Sequence, residues 1–412
     1  VPVSLEAVFR LSQSANTALA HARARLATAF ADHTLAVQRW LPEVKVGVGY
    51  YRHEGGIQDQ DGRLLRSSTS ALVGGLDVRA QYDPQAVVFA QLNAARKVAQ
   101  AHGELRQLTQ EQLLDATTLY IDLLAVGAGL AVLTQQDAEV RDWLERAQKL
   151  AAVEQAVEVE VARLQAALAG SQQVAAQLRQ QQAAGLLKLA YHLGVDSAVP
   201  LVPVETEFPA LTLLEPTAPV EPLVAQVLAN GVGVAELTTV LHLLEAGQAY
   251  AEGRGRWLPT VEVQAHEGAF AAGPNGNLGL SNRFDVGVQA RWNVTSLFTA
   301  DQQRAVALAR QQELHAQLCD VRAKLALAVR ASQRDLVAGW QQLQLADATQ
   351  RHADQAHALS ARRLRNQVPG ATYSEVLLAL QAVTDARRQR VQLLRAYNQA
   401  QVRLAVLVGS VP

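Results

Sequence analysis

The sequence predicts a mainly α-helical chain with a transmembrane β-barrel portion. Three observations predict it: an internal duplication, helical repeats far longer than a compact domain needs, and four short segments that alternate strictly between apolar and polar residues.

The duplication sets the organisation. Trp40-Leu41-Pro42 precedes the alternating run Val44 to Tyr50, and Trp257-Leu258-Pro259 precedes Val261 to Ala265. Farther on, Val153 to Gly194 matches Val368 to Gly409 without a gap, pairing Ala156 with Ala371, Glu160 with Glu375, Val161 with Val376, Leu189 with Leu404 and Gly194 with Gly409. Each half therefore reads helix, helix, strand, loop, strand, very long helix, very long helix. The expected boundaries are a first repeat over 1–195, a connector over 196–222 and a second repeat over 223–412. The connector holds Pro200, Pro203, Pro209, Pro216, Pro219 and Pro222, six of the 13 prolines, and is expected to be non-helical.

The long helices are expected over 86–148, 156–194, 297–366 and 373–408. Leu113, Ala116, Tyr120 and Leu124, and Val329, Leu336, Trp340 and Leu343, recur at the spacing of a coiled-coil seam. A helix of about 65 residues is roughly 100 Å long, which suits an elongated assembly. Alanine dominates the 49% hydrophobic content and aromatics make up 5%, again favouring closely packed helices over a core of large side chains.

The strands carry a two-sided pattern. Val44, Val46, Val48 and Tyr50 oppose Lys45, Gly47 and Gly49; Leu76, Val78, Ala80 and Tyr82 oppose Asp77, Arg79 and Gln81. Val261, Val263 and Ala265 oppose Glu262, Gln264 and His266; Val286, Val288, Ala290 and Trp292 oppose Asp285, Gly287, Gln289 and Arg291. One face suits lipid and the other water. The polar, glycine-containing segments 52–70 and 267–283 are expected to be long external loops. Trp40, Trp257, Tyr82 and Trp292 are expected to form an interfacial aromatic girdle. Four strands cannot close a conducting barrel, and an open edge in lipid leaves backbone groups unpaired. Three copies supply twelve strands.

Other classes are disfavoured. A net charge of −1 argues against a binder of nucleic acid. The apolar run from Leu123 to Leu133, broken by Gly127 and Gly129, falls short of a transmembrane helix. Cys319 is expected to be buried or to line a helix groove. Glu154, Glu158 and Glu160, and His352 with His357, lack the spacing of a metal set. No enzymatic motif appears in context, so neither a catalytic residue nor a cofactor is expected. The chain has no methionine and starts at Val1, which suggests an N-terminal segment removed by processing.

On the Trp-Leu-Pro pair, the strands and the post-turn helix starts Ala371-Thr372-Tyr373-Ser374-Glu375-Val376-Leu377 and Ala156-Val157-Glu158-Val159-Glu160-Val161-Ala162, the chain resembles the TolC family of outer-membrane efflux proteins over essentially its whole length. The resemblance implies a homotrimer in outer-membrane lipid of a Gram-negative-type bacterium. Its twelve-stranded barrel would continue into a periplasmic helical barrel, with the connector in an equatorial belt. It implies passive exit of small molecules or polypeptides for a tripartite efflux pump or type I secretion system, with a periplasmic adaptor protein and an inner-membrane transporter as partners. Glu375 and Glu160 match the acidic positions of a periplasmic constriction, with Arg362, Arg363 and Arg365 as pairing candidates. Val153, Glu154, Gln155, Val368, Pro369 and Gly370 fall at the adaptor-docking tips. The family's tip glycine precedes an acid by six residues; here Gly370 precedes Glu375 by five, Pro369 holds the usual spacing, and the first repeat has Glu154-Gln155 with no glycine. The alternative is a periplasmic coiled-coil scaffold without a pore.

Overall fold

The computed structural model describes residues 1–14, 16–151, 158–205, 207–253, 257–274 and 278–410. The first repeat runs β1 (Pro2–Val3), α1 (Leu5–Ser14), α2 (Thr17–Val37), a short 3-10 turn (Gln38–Trp40), β2 (Glu43–Gln58), β3 (Leu64–Tyr82), α3 (Pro84–Ala151) and α4 (Glu158–Leu193). There follow β4 (Val202–Pro203), α5 (Val220–Asn230), α6 (Val234–Glu252), β5 (Thr260–Pro274), β6 (Gly279–Arg291), α7 (Thr295–Phe298), α8 (Ala300–Arg365) and α9 (Tyr373–Val408). By contacts the chain divides into one unit of 1–24, 103–235 and 318–412 and another of 25–102 and 236–317.

The second unit holds an antiparallel sheet in the order β2-β3-β5-β6. These strands correct the expected loops. Most of 52–70 and 267–283 is strand, and β2 and β3 stay paired out to Gln58 opposite Leu64. Backbone pairing needs no apolar side chain, so polar residues extend the ladder where the alternating signal fades. Between them Asp59 closes a tight turn, its Oδ1 accepting from Asp61 N at 3.1 Å and Arg63 N at 2.7 Å, with Gly62 at φ +83°.

The first unit holds the helical cores. Val3, Val8, Ala116, Tyr120, Leu123, Leu189 and Leu193 join α1, α3 and α4, while Val224, Val227, Val329, Leu336, Tyr397 and Leu404 join α5, α8 and α9. Arginines on α9 stitch it to its neighbours. Arg395 forks onto Asp122 of α3 at 2.6 and 2.9 Å, Arg390 meets Asp347 of α8 at 2.5 Å, and Arg387 meets Asp354 of α8 at 2.9 Å. Both α4 and α9 end on a left-handed glycine, Gly194 at φ +65° and Gly409 at φ +75°. The residue after each returns its N–H to the carbonyl five residues back, Val195 to Ala190 and Ser410 to Ala405.

Among its described residues the connector is non-helical, with turns closed by Val199 N on Asp196 O and Ala218 N on Glu215 O, except at its end, where Val220, Glu221 and Pro222 form the first turn of α5. Proline is tolerated there because the first-turn N–H groups have no helical acceptor, which corrects the expected non-helical boundary. The connector is pinned by buried amides. Asn398 accepts from Leu211 N at 2.8 Å and donates to Pro209 O, Gln401 does the same with Leu214 N and O, and Gln333 donates to Pro216 O and Ala218 O. β1 pairs with β4 in parallel, and Tyr120 Oη meets both Val3 O and the Glu205 carboxylate.

The helix Pro84–Leu150 contains an 18-residue window of mean hydropathy 1.8, a composition that core helices share, and 44% of that window is buried within the chain. One further expectation is corrected. Cys319 is exposed, since the helical phase of α8 turns its neighbour Leu318 inward instead.

Candidate functional site

Two places gather the residues singled out by sequence: the faces of the sheet, and the ends of the long helices.

In the sheet, register puts opposed residues on one face. Val44 pairs with Val78, Val78 with Ala265 and Ala265 with Val286; Val46 pairs with Leu76, and Glu267 with Phe284. This face is apolar and open, with Val46 84% and Val288 74% exposed. It runs from Tyr82 to Leu72 along β3, roughly 34 Å of strand or about 26 Å of height at a 40° tilt, the thickness of an outer-membrane hydrocarbon band. Within that band its one charged residue is Glu267, which accepts from Asn282 Nδ2 at 3.0 Å. Trp40, Tyr82, Trp257 and Trp292 all lie at the same end of the strands and are all exposed.

The opposite face is charged and internally paired. Glu262 meets Arg79 at 2.8 Å and Arg291 at 3.6 Å, His266 Nδ1 meets Asp77 at 2.8 Å, Arg283 meets Asp285 at 2.5 Å, and Lys45 meets Glu43 at 3.0 Å. Lys45, Arg79, Arg283 and Arg291 balance Glu43, Asp77, Glu262 and Asp285, so the formal charges of these paired side chains cancel. Sequence reasoning missed a row of glycines across it: Gly47 pairs with Gly75, and Gly75 with Gly268. A Cβ on Gly268 would lie 2.6 Å from Gly75 Cα, so β3 and β5 approach there as only glycine permits.

At the helix ends, Val140, Trp143, Leu164, Ala361, Val376, Leu377 and Leu380 form a core joining both long hairpins. Trp143 is its centre: Tyr373 meets it edge-on at 6.2 Å, and the guanidiniums of Arg146 and Arg365 lie over it at 5.1 and 5.4 Å. Burial pushes the Tyr373 phenol above its ordinary value. Arg363 meets Glu375 at 2.7 Å, and Ser374 Oγ both donates to Glu160 and accepts from Arg163 at 2.7 Å. Ser374 thereby bridges α4 to α9. Thr372 caps α9, accepting from Glu375 N at 3.2 Å. Arg362 is exposed on α8. The α8–α9 turn through Val368, Pro369 and Gly370 is exposed, with Gln367 at φ +54° and Gly370 at φ +80°. The expected counterparts Val153, Glu154 and Gln155 lie outside the described residues. Of the pairs considered for metal, His352 is exposed while His357 lies 3.5 Å from Glu139.

No family profile and no curated protein matches the sequence. Solved structures do. The outer-membrane channel OprN aligns with a TM-score of 0.80 at 19% identity, covering 99% of this chain and 90% of that one. The CmeC outer-membrane channel of Campylobacter jejuni aligns at 0.81 and 14%, covering 98% and 85%. VceC, an outer-membrane protein of Vibrio cholerae, aligns at 0.77 and 16%, covering 98% and 96%. The fold is that of the TolC-like outer-membrane channels. Within that TolC-like fold, Arg163 and Trp143 were not named by sequence reasoning, and Ser374 was named only as part of the helix-start motif, without its bridging role. A tryptophan in a chain with 5% aromatics was the available signal for Trp143.

Proposed function

We propose that this chain is one of three identical subunits of an outer-membrane exit channel, serving an efflux or type I secretion assembly passively. The observation that carries the proposal is the sidedness of the sheet. Valine, leucine and phenylalanine stand open on one face while ion pairs occupy the other, and each edge strand leaves a ladder unpaired. A lone chain gains nothing from such a surface; a twelve-stranded cylinder in lipid covers the apolar face, pairs both edges and wets the charged wall. The girdle residues Trp40, Tyr82, Trp257 and Trp292 then sit at the periplasmic interface.

The helix ends serve as the periplasmic entrance, with Val368, Pro369 and Gly370 contacting the adaptor protein. Glu160 and Glu375 contribute acidic rings that favour cations, the Arg363–Glu375 pair closes the α8–α9 turn, and the Ser374 bridge holds the two hairpins together. The experiment is fractionation followed by recording. A heat-modifiable trimer in the outer membrane, conducting in planar bilayers, is expected; a soluble single chain would refute the proposal. Arg363→Ala is expected to raise conductance, and an unchanged value would remove that pair from the gate.

A further inference from the structure

The sheet has two edges, β2 and β6, and its interior holds a template for how they meet. β2 and β3 belong to the first repeat, β5 and β6 to the second, so the β3–β5 pair joins the last strand of one repeat to the first strand of the next. In a ring of copies, β6 and the β2 of the neighbouring copy stand in that same relation.

The aromatic residues at the strand ends supply a common level for both junctions. Trp257-Leu258-Pro259 leads into β5 as Trp40-Leu41-Pro42 leads into β2, and Tyr82 ends β3 where Trp292 follows β6. Within the chain, Tyr82 pairs with Val261, the fourth residue after Trp257. Carried to the outer junction, the same offset sets Trp292 opposite Val44, the fourth residue after Trp40.

We infer that β6 closes on the β2 of a neighbouring copy in this register, Trp292 facing Val44, Ala290 facing Val46, Val288 facing Val48 and Val286 facing Tyr50. The inference rests on the trimeric channel reading and adds to it which residues meet at each seam. All 13 residues of β6 then find partners within the 16 of β2. These facing pairs are apolar, whereas a slip by one residue sets valines of β2 against Gln289 and Arg291. On the charged side Gly287 meets Gly49. Arg291 meets Lys45 there, each cation already held by an acid of its own copy, Glu262 and Glu43.

The register also closes a cylinder. Following paired residues across the sheet, Val44, Val78, Ala265 and Val286, leads under it to Tyr50 of the next copy, six residues farther along β2. Three such steps give a stagger of about 18 residues over twelve strands. At about 3.3 Å per residue and 4.8 Å per strand the tilt is roughly 46°, at the upper end of the outer-membrane range. A slip that sets Ala290 against Val48 raises the stagger to about 24 and the tilt to roughly 54°, outside that range. The opposite slip sets Trp292 against Pro42, which has no N–H to give the ladder.

Cysteine pairs read the register directly. In a Cys319→Ser background, which removes the one native thiol, Ala290→Cys is combined with Val44→Cys, Val46→Cys or Val48→Cys, and outer membranes are oxidised with copper phenanthroline. Facing residues bring Cβ atoms within disulfide range and residues two positions away do not. Heated, unreduced samples should shift from single chains to covalent dimers and trimers for the Val46→Cys combination alone. Val288→Cys with Val48→Cys should give the same bands, which covers poor assembly of the first pair. Cross-links strongest for Ala290→Cys with Val44→Cys or Val48→Cys, or absent from every pair in an assembled trimer, overturn the register and leave the channel reading standing. A Cys319→Ser parent without a heat-modifiable trimer refutes the channel reading itself.

Discussion

Val46 and Gly47 are neighbours on β2 with opposite outlooks, and introducing lysine at each separates a membrane cylinder from a soluble sheet. Val46 is 84% exposed in the single chain, and an added Cβ at Gly47 meets nothing within 4 Å, so neither site is crowded. Were the sheet water-soluble, both substitutions would change stability by less than about 0.5 kcal/mol, as surface changes do. In the channel, Val46 lies near the middle of the apolar band. Lysine there costs roughly 2–4 kcal/mol per subunit, and threefold repetition makes that about 6–12 kcal/mol per trimer, against almost nothing for Gly47→Lys on the wet wall. The assay is the yield of heat-modifiable trimer in outer membranes, followed by urea titration of refolding into liposomes. Gly47→Lys should match the parent while Val46→Lys assembles poorly with a lower midpoint. Equal behaviour of the two variants would refute the assignment of faces.

Three other outcomes follow from the structure. Gly268→Ala forces its Cβ to within 2.6 Å of Gly75 Cα and closer still to Gly74 O; strain of about 1–3 kcal/mol with two weakened ladder bonds near 1 kcal/mol each gives about 3–5 kcal/mol, measured as a lower midpoint in the same titration. Gln367→Gly relieves a left-handed conformation at φ +54° and should raise stability by about 0.5–1 kcal/mol, read in thermal melts of the detergent-solubilised trimer. Burial and then the Glu205 carboxylate push the Tyr120 phenol above its ordinary value. The folded chain holds that proton more tightly than the unfolded one, so the contribution is complete below pH of about 10 and is lost as pH rises through the raised value. Alkaline titration of the melt should show this fall in the parent and a shallower one in Tyr120→Phe.

Periodicity made the four long helices legible to within a few residues, because a coiled-coil seam repeats its signal over many turns. Observed bounds of 84–151 and 300–365 stand beside expectations of 86–148 and 297–366. The strands were visible only where one face is continuously apolar and the other polar. From Arg52 to Ser70 polar residues and glycine interrupt both faces and leave only Ile57, Leu64 and Leu65 as large apolar side chains, so the ladder there is held by main-chain bonds without a regular alternating trace. At the helix ends, sequence matching located Glu160 and Glu375 through their duplicated context. It did not reveal that Ser374 lies between Glu160 and Arg163, because that meeting joins residues more than two hundred positions apart. Arg363, by contrast, sits twelve residues before Glu375 across one turn, a pairing that local spacing does expose.

The amides that hold the connector have a consequence for how that segment can vary. Asn398, Gln401 and Gln333 grip carbonyls and N–H groups of Pro209, Leu211, Leu214, Pro216 and Ala218, atoms that nearly every amino acid possesses. What these clamps recognise is therefore the path of the main chain. Exposed side chains on that path, such as Thr217, can be exchanged freely while each anchoring amide stays irreplaceable, which makes the strap between the halves a natural place to graft a reporter peptide.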